Sequence, residues 1–377
     1  MDFQAFYQNA MSRLGRFRTS EEFEVQKTVA SIDALLRRAD DLSRGCLPGS
    51  RFGCPPGIDM DNLITRAMAH LEALERGERP LRGRFTEPGI ALVDHSFIEV
   101  DGVMHLFYNR GWIGYDWSER FNDTIGHATT TDLIYWNIHP PVLAVDPQCF
   151  DDHQVWSPAV IAHNGRYWMF CTGVNVPIAQ AVCLATSDDL FHWTRYSSEP
   201  IYTPGPWGHW DASRWSDCRD SFVLADNGRF YQYYCTSRET AAGSMEPANG
   251  VIVSDDLIHW EELGTFRMPT CDLAAESPFV IKHDGRYYFF YTNCGHGTSY
   301  AISDNPVDGW VEQELLLTPS APCTFSAHVP SCAEVFCFKG KWYISSCERL
   351  PGWEQYLEIH ELFWEADGTV RIGNRLE

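Results

Sequence analysis

The sequence has few basic residues for its length. Its 377 residues include 29 Lys and Arg against 51 Asp and Glu, which gives a formal net charge of −22. A surface of that sign repels phosphate backbones and anionic lipid, so nucleic acid and membranes are poor candidates as partners. A neutral small molecule fits this charge better as a ligand.

Several common sequence signals are also missing. The first residues, MDFQAFYQNAMSRLGRF, have no basic stretch leading into an apolar one, and no run of about 18 apolar residues occurs. The 13 cysteines never form a CxxC pair, which argues against a zinc ribbon. We interpret the cysteines as free, buried thiols, and we expect a cytoplasmic protein.

Hydrophobic and aromatic residues, in contrast, are plentiful. They make up 44% and 14% of the chain, so a sizeable core is expected. Aromatic rings pack well in β-sheets, and exposed rings can stack on sugars.

The first 80 or so residues have a helical pattern. Thr19 and Glu22 have the spacing of a capping box ahead of an apolar stripe, and that helix would end at Gly45. The segment MDNLITRAMAHLEALERG predicts a second helix. We therefore divide the chain into a helical segment, residues 1–84, and a second domain, residues 85–377.

An aromatic strand after a glycine turn recurs five times in the second domain. The copies are GVMHLFY, GRYWMFC, GRFYQYY, GRYYFFY and GKWYIS, and they start at Gly102, Gly165, Gly228, Gly285 and Gly340. A second motif follows the first four copies, as in TTTDLIYW, ATSDDLFHW, IVSDDLIHW and the weaker AISDNPVDGW. Such repeats, each with about four strands, are typical of β-propellers. We predict an all-β fold, a five-bladed β-propeller, with a short α-helical N-terminal extension.

The first strand of each blade lines the channel of a propeller, and three of these strands begin near an acid. VDHSFIEVDG contains Asp94, CRDSFVLADNG contains Asp220 and AESPFVIKHDG contains Glu276. We interpret the three as equivalent positions in blades 1, 3 and 4. We therefore expect the carboxylates to face one another across one funnel.

Carboxylates that share a pocket repel one another unless their surroundings separate their pKa values. Glycoside hydrolysis needs such a set, because one carboxylate attacks or activates water and one carboxylic acid protonates the leaving oxygen. Arg219 should keep the adjacent Asp220 ionised, whereas Glu276 has no basic neighbour in the sequence and suits the general acid. A triad of acids could instead bind a metal, but Arg219 argues against a cation there, and we assign no metal ligand.

These residues resemble the five-bladed β-propeller glycoside hydrolases, which include the family 32 fructosidases and the family 43 arabinanases and xylosidases. DHSFIEVDGVMHLFYN resembles the first-blade segment that carries the nucleophile or base. CRDS is similar to the Arg-Asp-Pro motif of the fructosidases, and ESP is similar to their Glu-Cys-Pro segment. The resemblance implies that Asp94 is the nucleophile or base, Asp220 the transition-state stabiliser and Glu276 the general acid.

The chain also departs from those families. His95 follows Asp94 where the fructosidases usually have a Trp-x-Asn-Asp-Pro-Asn-Gly-like opening, and the chain ends with the fifth blade. The helical segment has no counterpart in either family. A propeller family that cleaves anhydrogalactosides from agar oligosaccharides has N-terminal helices that swap between protomers, so a homodimer through residues 1–80 is expected.

Further residues near the predicted funnel suit substrate binding. We expect contacts from His95, Asn109, Trp112, Trp156, Ser157, Arg219 and His328, although the histidine at 95 and the two tryptophans suit core packing equally well. The Trp-rich segment GPWGHWDASRW, residues 205–215, is predicted to be a rim loop that sets specificity. His328 resembles the channel histidine of family 43, where a calcium often sits. A structural calcium therefore stays open, and no cofactor is expected to be required.

The sequence favours an exo-acting glycoside hydrolase that cleaves terminal furanoside residues from oligosaccharides, with a fructosidase-like, retaining mechanism. Within enzymes, the alternatives are an inverting arabinanase or xylosidase of the family 43 type and an anhydrogalactosidase-like enzyme. Outside enzymes, a sugar-binding propeller or a protein-interaction propeller would not need all three acids.

Overall fold

The computed structural model describes residues 3–44, 60–113, 122–294, 296–318, 330–349 and 355–377, without the side chains of Trp112 and Arg349. Within these ranges the chain forms three α-helices, followed by β-strands that make five sheets arranged as the blades of a propeller. The predicted fold class is confirmed.

The helical segment contains α1 (Phe3–Leu14), α2 (Phe23–Ser43) and α3 (Met60–Glu75). The predicted capping box before α2 is wrong, because no side chain caps that helix. Instead, the Gln26 amide reaches back and donates to the Ser20 carbonyl at 2.6 Å. This bond orders the turn ahead of α2 from inside the helix. None of the described helices is long and apolar enough to cross a membrane.

Blades 1 to 4 are antiparallel four-stranded sheets whose strands pair in chain order. Blade 1 contains β2 (Ile90–Val100), β3 (Val103–Trp112), β4 (Asn122–Thr130) and β5 (Asn137–Ala144). Blade 2 contains β6 (Gln154–His163), β7 (Arg166–Val174), β8 (Gln180–Ser187) and β9 (Thr194–Arg195). Blade 3 contains β10 (Cys218–Asp226), β11 (Arg229–Glu239), β12 (Met245–Ser254) and β13 (Glu261–Phe266). Blade 4 contains β14 (Glu276–His283), β15 (Arg286–Asn293), β16 (Gly297–Ser303) and β17 (Val311–Glu312).

Blade 5 joins the two ends of the propeller. It contains β18 (Val335–Phe338), β19 (Lys341–Arg349), β20 (Gln355–Trp364) and β21 (Val370–Arg375), together with β1 (Arg84–Phe85). Both β1 and β21 pair with β20, so an early strand and a late strand extend the same blade.

An ion cluster reinforces this closure. Glu358 on β20 accepts a hydrogen bond from Arg84 at 2.6 Å and one from Arg375 at 2.9 Å. Burial alone would raise the pKa of Glu358, but the hydrogen bond from His360 and the charges of the two arginines lower it to about 2. Glu358 is therefore ionised at neutral pH and links both ends of the propeller.

The second repeated motif forms the turn into the fourth strand of a blade. In blade 2, one carboxylate oxygen of Asp189 accepts the N–H groups of Phe191 and His192, both at 2.8 Å. Asp132 and Asp256 make the same contacts in blades 1 and 3. An Asp that bonds the backbone two and three residues on stabilises such turns, so the motif is structural.

The three helices pack on blade 1 at the head of its first strand. Their fully buried residues include Ile32 and Leu35, and they share one apolar cluster with Ala91 and Ile113 of the propeller. In addition, Arg38 donates to the Ile113 carbonyl at 3.1 Å. The helical segment therefore shares a core with its own propeller. A homodimer through these helices stays a prediction.

We predict that Ile32→Ala destabilises the propeller as well as the helices. Removing a fully buried side chain from a shared core costs about 2–5 kcal/mol. Every tryptophan lies at or after residue 112, so tryptophan fluorescence reports unfolding of the propeller alone. The urea concentration at the unfolding midpoint should fall for both probes, tryptophan fluorescence and the helical circular dichroism signal.

Phe23→Ala is the matched control, because that helical side chain is 42% exposed and should change stability little. A loss of helical signal with an unchanged fluorescence midpoint would show that the two parts unfold independently.

Candidate active site

Each of the first strands in blades 1 to 4 has a β-bulge at its head. The pairing of β10 with β11 shifts register between Arg219 and Phe222, and the same shift occurs in β2, β6 and β14. Consecutive side chains of a regular strand point to opposite faces, but a bulge can turn two neighbours toward one side. Arg219 and Asp220 consequently line the same pocket. This explains why an apolar strand begins with two adjacent charged residues.

The bulges arrange the strand heads in two rings around the axis. The inner ring is the set of residues eight positions before the glycine turns: Asp94, Ser157, Asp220, Ser277 and Cys332. The outer ring is the set one position earlier: Val93, Trp156, Arg219, Glu276 and Ser331. In blades 2 to 5 the inner-ring residue has a positive φ, between 45° and 57°.

The sequence analysis interpreted Asp94, Asp220 and Glu276 as equivalent positions. That interpretation is wrong for Glu276. It belongs to the outer ring, in line with Arg219, and Ser277 is the inner-ring residue of blade 4. The signal was present in the sequence, because Ser277 and not Glu276 lies eight residues before its glycine.

A single hydroxyl group links the two inner-ring aspartates. Ser157 Oγ lies 2.7 Å from Asp94 Oδ2 and 2.7 Å from Asp220 Oδ1. A serine hydroxyl has one hydrogen, so it can donate to only one carboxylate at a time. The second short contact is satisfied when one of the aspartates carries a proton and donates it to Ser157.

Asp220 is the group that the surroundings favour for this proton. Its side chain is buried, and burial together with the negative charge of Asp94 raises the pKa of Asp220 to about 7. The sequence-based expectation that Arg219 keeps Asp220 ionised is wrong. The Arg219 Nε atom is 3.8 Å from Asp220, and its effect is smaller than that of burial.

Asp94 is surrounded by hydrogen-bond donors. Besides Ser157, the Ser277 hydroxyl donates to Asp94 Oδ1 at 2.7 Å, and the Asn109 amide donates to Oδ2 at 3.3 Å. Donors on both oxygens suit a carboxylate that stays an acceptor.

Glu276 is held from two sides. Arg219 Nη2 donates to Glu276 Oε1 at 2.9 Å, and the Cys294 thiol donates to Oε2 at 3.1 Å. The same guanidinium bonds Asp217 at 2.7 Å through Nη1. Glu276 thus has a basic neighbour that the linear sequence does not show, because it comes from the next blade.

A third set of residues supports the bulges from the second strand of each blade. These residues lie seven positions after the glycine turns: Asn109, Thr172, Cys235, Thr292 and Cys347. Asn109 accepts the Ser157 N–H at 2.6 Å, Thr172 accepts the Asp220 N–H at 2.9 Å, and Thr292 accepts the Cys332 N–H at 2.9 Å. Sequence reasoning missed four of the five, although the constant spacing was visible.

The two rings open into a pocket with a volume of about 470 Å³. The structure brings Asp94, Asp220 and Glu276 together in the wall of this pocket, along with Arg219. A narrow cavity of about 30 Å³ lies below, along the axis, and also touches the two aspartates. The arrangement places three carboxylates around one space that is large enough for a sugar ring.

The structure distributes the other predicted substrate contacts unevenly. Asn109 lines the pocket, as does Trp156, whose ring is buried and whose Nε1–H donates to Gln154. His95 lines the narrow cavity instead, with Nε2 2.7 Å from Ser345 Oγ, and burial lowers its pKa to about 3, so it is neutral. The side chain of Trp112 and the whole of His328 lie outside the described part of the chain.

A structural calcium on the axis stays a prediction, because His328 lies outside the described residues. Among them no group of three or more His, Cys, Asp or Glu side chains is spaced to hold a metal ion. Glu334 lines the narrow cavity, where burial raises its pKa to about 8, and it accepts the Phe97 N–H at 2.9 Å. A carboxyl group that is mostly protonated at neutral pH is a poor cation ligand.

Comparison with known proteins gives relatives in two glycosidase families. Residues 95–267 match the model of the glycosyl hydrolases family 32 N-terminal domain. An acid beta-fructofuranosidase 1, vacuolar, of a Rosa hybrid cultivar is 40% identical over 111 residues, which cover 28% of this chain and 18% of that protein. A xylosidase/arabinosidase of Bacteroides ovatus is 24% identical over 323 residues, which cover 76% of this chain and 96% of that protein. The chain thus spans less than a fifth of the rose protein but nearly all of the bacterial one.

Solved structures agree on the fold. The β-xylosidase RS223 superposes with a TM-score of 0.59 at 18% identity, over 75% of this chain and 95% of that one. A GH32 beta-fructofuranosidase of Bombyx mori gives a TM-score of 0.59 at 19% identity, over 78% of this chain and 64% of that one. Together with the family match and the relatives, the fold confirms the predicted resemblance to the five-bladed β-propeller glycoside hydrolases of families 32 and 43.

Proposed function

We propose that this protein removes terminal furanoside residues from oligosaccharides, as fructosidases do, with Asp94, Asp220 and Glu276 as its catalytic carboxylates. The observation that carries the proposal is the Ser157 hydroxyl 2.7 Å from both aspartates, with Glu276 in the wall of the same pocket. Hydrolysis of a glycosidic bond requires a carboxylate and a proton donor on the two sides of the anomeric carbon.

In this proposal Asp94 is the nucleophile. Its two oxygens accept from Ser157 and Ser277, and these bonds aim the carboxylate into the pocket. Attack on the anomeric carbon forms a glycosyl ester, and water then cleaves that ester with retention of configuration.

Glu276 is the proposed general acid. It lies in the outer ring and on the wall of the same pocket as Asp94. Arg219 positions its carboxyl through the 2.9 Å bond to Oε1. After the leaving group departs, the same carboxylate can take a proton from the attacking water.

Asp220 is the proposed transition-state stabiliser. Positive charge that develops on the sugar ring favours the ionised form of Asp220. Its proton passes to water in the open pocket, and the resulting carboxylate stabilises that charge. A pKa near neutrality lets the environment of the bound sugar decide the charge of this group.

Two sets of relatives support different substrates. The family 32 match and the 40% identity to the rose fructofuranosidase favour a fructoside. The xylosidase/arabinosidase of Bacteroides ovatus matches over 96% of its length and favours a pentoside instead. The second candidate is therefore an arabinosidase or xylosidase of the family 43 type with inversion of configuration.

The first test is a substrate screen with a stereochemical readout. Fructan, arabinan, xylan and agar oligosaccharides would be supplied, and released sugars would be followed by NMR from the first minutes. We expect release of a terminal furanose with its anomeric configuration retained. Release of an inverted pentose would support the second candidate, and an absence of release from every substrate would contradict both.

Glu276→Gln is expected to lower kcat by about 10²–10⁴-fold, because the amide keeps the shape of the side chain but cannot donate the proton. Asp94→Asn should abolish hydrolysis, and azide should restore turnover by replacing the nucleophile. Cys294→Ser is a matched control, since it preserves a donor to Glu276 and should retain activity. Wild-type rates in Glu276→Gln would reject the assigned role.

Asp220→Asn is expected to stabilise the fold at alkaline pH while lowering activity. The unfolded state releases the Asp220 proton near pH 4 and the folded state near pH 7, so the wild-type protein loses stability as pH rises between these values. The asparagine side chain does not ionise, so the variant avoids this loss. Each unit of difference between the pKa values of the folded and unfolded states corresponds to about 1.4 kcal/mol of unfolding free energy. The variant should therefore gain on the order of a few kcal/mol over the wild type at pH 8 and little at pH 4.

Thermal unfolding across this pH range measures the difference. Asp217→Asn is the control, because it removes an ion-pair partner of Arg219 and should not stabilise the fold at any pH. If Asp220→Asn were less stable than the wild type at every pH, ionisation of the buried Asp220 carboxyl would not be what lowers the stability of the wild-type protein as pH rises.

We also propose a cytoplasmic location and a homodimer through residues 1–80. None of the described cysteines forms a disulfide, which suits a reducing compartment. A bound calcium is not part of the proposal, and no step depends on it.

A further inference from the structure

We propose that Trp215 is the platform on which the leaving-group sugar stacks, so that the enzyme selects oligosaccharides with at least one sugar beyond the cleaved bond. This inference rests on the proposed function and assigns the side of the pocket that holds the aglycone.

Trp215 is an exposed ring at the mouth of the pocket. Among the described residues that line the pocket, the aromatic side chains are Trp156 and Trp215. Trp156 is 8% exposed and packed at the base, whereas Trp215 is 45% exposed. An aromatic ring that is held in water beside a sugar-sized pocket has the chemistry of a stacking surface for the apolar C–H faces of a sugar.

The segment that carries Trp215 is well anchored. Glu262 accepts hydrogen bonds from the Gly205 N–H at 2.9 Å and the Trp207 indole at 2.6 Å. The Trp210 indole donates to the Gln180 carbonyl at 2.7 Å, and Ser216 Oγ donates to the Asp211 carbonyl at 2.9 Å. Anchors on blades 2 and 3 hold the loop in place, so little ordering is required when a ligand binds.

A chain of charged contacts connects Trp215 with the proposed general acid. The indole N–H donates to Asp217 Oδ1 at 3.0 Å, Asp217 pairs with Arg219 at 2.7 Å, and Arg219 bonds Glu276 at 2.9 Å. Trp215, Asp217 and Arg219 thus form one wall that runs from the rim to Glu276. The general acid contacts the leaving oxygen, so the sugar attached to that oxygen lies along this wall.

The dimensions of the wall suit a short ligand. Trp215 precedes Arg219 by four residues, and extended chain rises about 3.3 Å per residue, so the Cα atoms of these two residues lie at most about 13 Å apart. Pro247 and Leu273 also line the pocket and add apolar surface. The indole N–H already donates to Asp217, so Trp215 contacts the sugar through the face of its ring. Stacking on a ring face does not depend on the positions of hydroxyl groups, so different sugars can bind there.

The test measures binding without catalysis. Trp215→Ala and Trp215→Phe would each be made in the Glu276→Gln background and titrated by calorimetry. The probes are fructo-, arabino- and xylo-trisaccharides and the monosaccharides fructose, arabinose and xylose. We expect Trp215→Ala to raise Kd about tenfold for the trisaccharide that binds, with the monosaccharide unaffected, and Trp215→Phe to restore most of the affinity.

Tyr196→Ala is the matched control, because Tyr196 is a 50% exposed aromatic on blade 2 that does not line the pocket. Equal loss of trisaccharide and monosaccharide binding in Trp215→Ala, or no loss of either, would overturn the platform. Thermal unfolding of each variant would show whether affinity is lost because the variant misfolds. If Trp215→Ala misfolds, the trisaccharide affinity of Trp215→Phe is compared with that of the Glu276→Gln parent.

The outcome is separable from that of the proposed function. If Glu276→Gln keeps full hydrolytic activity, the assigned acid is wrong, but selective loss of trisaccharide affinity in Trp215→Ala would still support the platform. If Glu276→Gln is inactive and Trp215→Ala binds normally, the platform alone is wrong.

Discussion

The site depends on one hydroxyl group that lies between two carboxyl groups. Ser157 Oγ is 2.7 Å from Asp94 and from Asp220, and a hydroxyl can donate to only one of them. Both contacts are satisfied when one aspartate carries a proton, and burial together with the charge of Asp94 raises the pKa of Asp220 to about 7, which favours Asp220 as its holder. The arrangement couples the charge of the stabilising acid to that of the proposed nucleophile. A bound sugar that develops positive charge would favour the ionised form of Asp220, whose proton then passes to water.

This contact exists because every blade presents its strand head in the same way. A bulge and a positive φ at the inner-ring position turn Ser157, Asp220 and Ser277 toward the axis. Positive φ is unfavourable for residues other than glycine, so something must hold these backbones in place. The Ser157 and Asp220 N–H groups donate to Asn109 and Thr172 of neighbouring blades, and the Ser277 N–H donates to Asp220 Oδ2 at 3.3 Å. The strained backbone of the site is thus stabilised by the ring of blades around it.

Charge balance in the pocket follows from the same geometry. Arg219 is the described cation that lines the pocket, and it bonds both Asp217 and Glu276. The remaining carboxylates leave the pocket acidic, which suits a neutral sugar that becomes positively charged in the transition state and disfavours an anionic substrate. The buried carboxyl of Asp220 weakens the fold as pH rises, which is the cost of keeping an ionisable group in a desolvated site.

The sequence by itself determined the five-unit ring and the residues at its centre. Glycine turns and aromatic strands recur along the chain, and repeats of this kind pack as the blades of a propeller. Asp94, Asp220 and Glu276 could therefore be placed near one funnel. Tertiary structure decided what those residues do to one another. Arg219 donates a 2.9 Å hydrogen bond to Glu276 of the next blade, whereas its ion pair with its sequence neighbour Asp220 is 3.8 Å long. The sequence placed Trp215 in a predicted rim loop and Ser277 eight residues before its glycine, but only the fold brings Ser277 to Asp94 and Trp215 to the pocket wall. Burial likewise favours the protonated form of Asp220 in a way that no linear neighbour reveals.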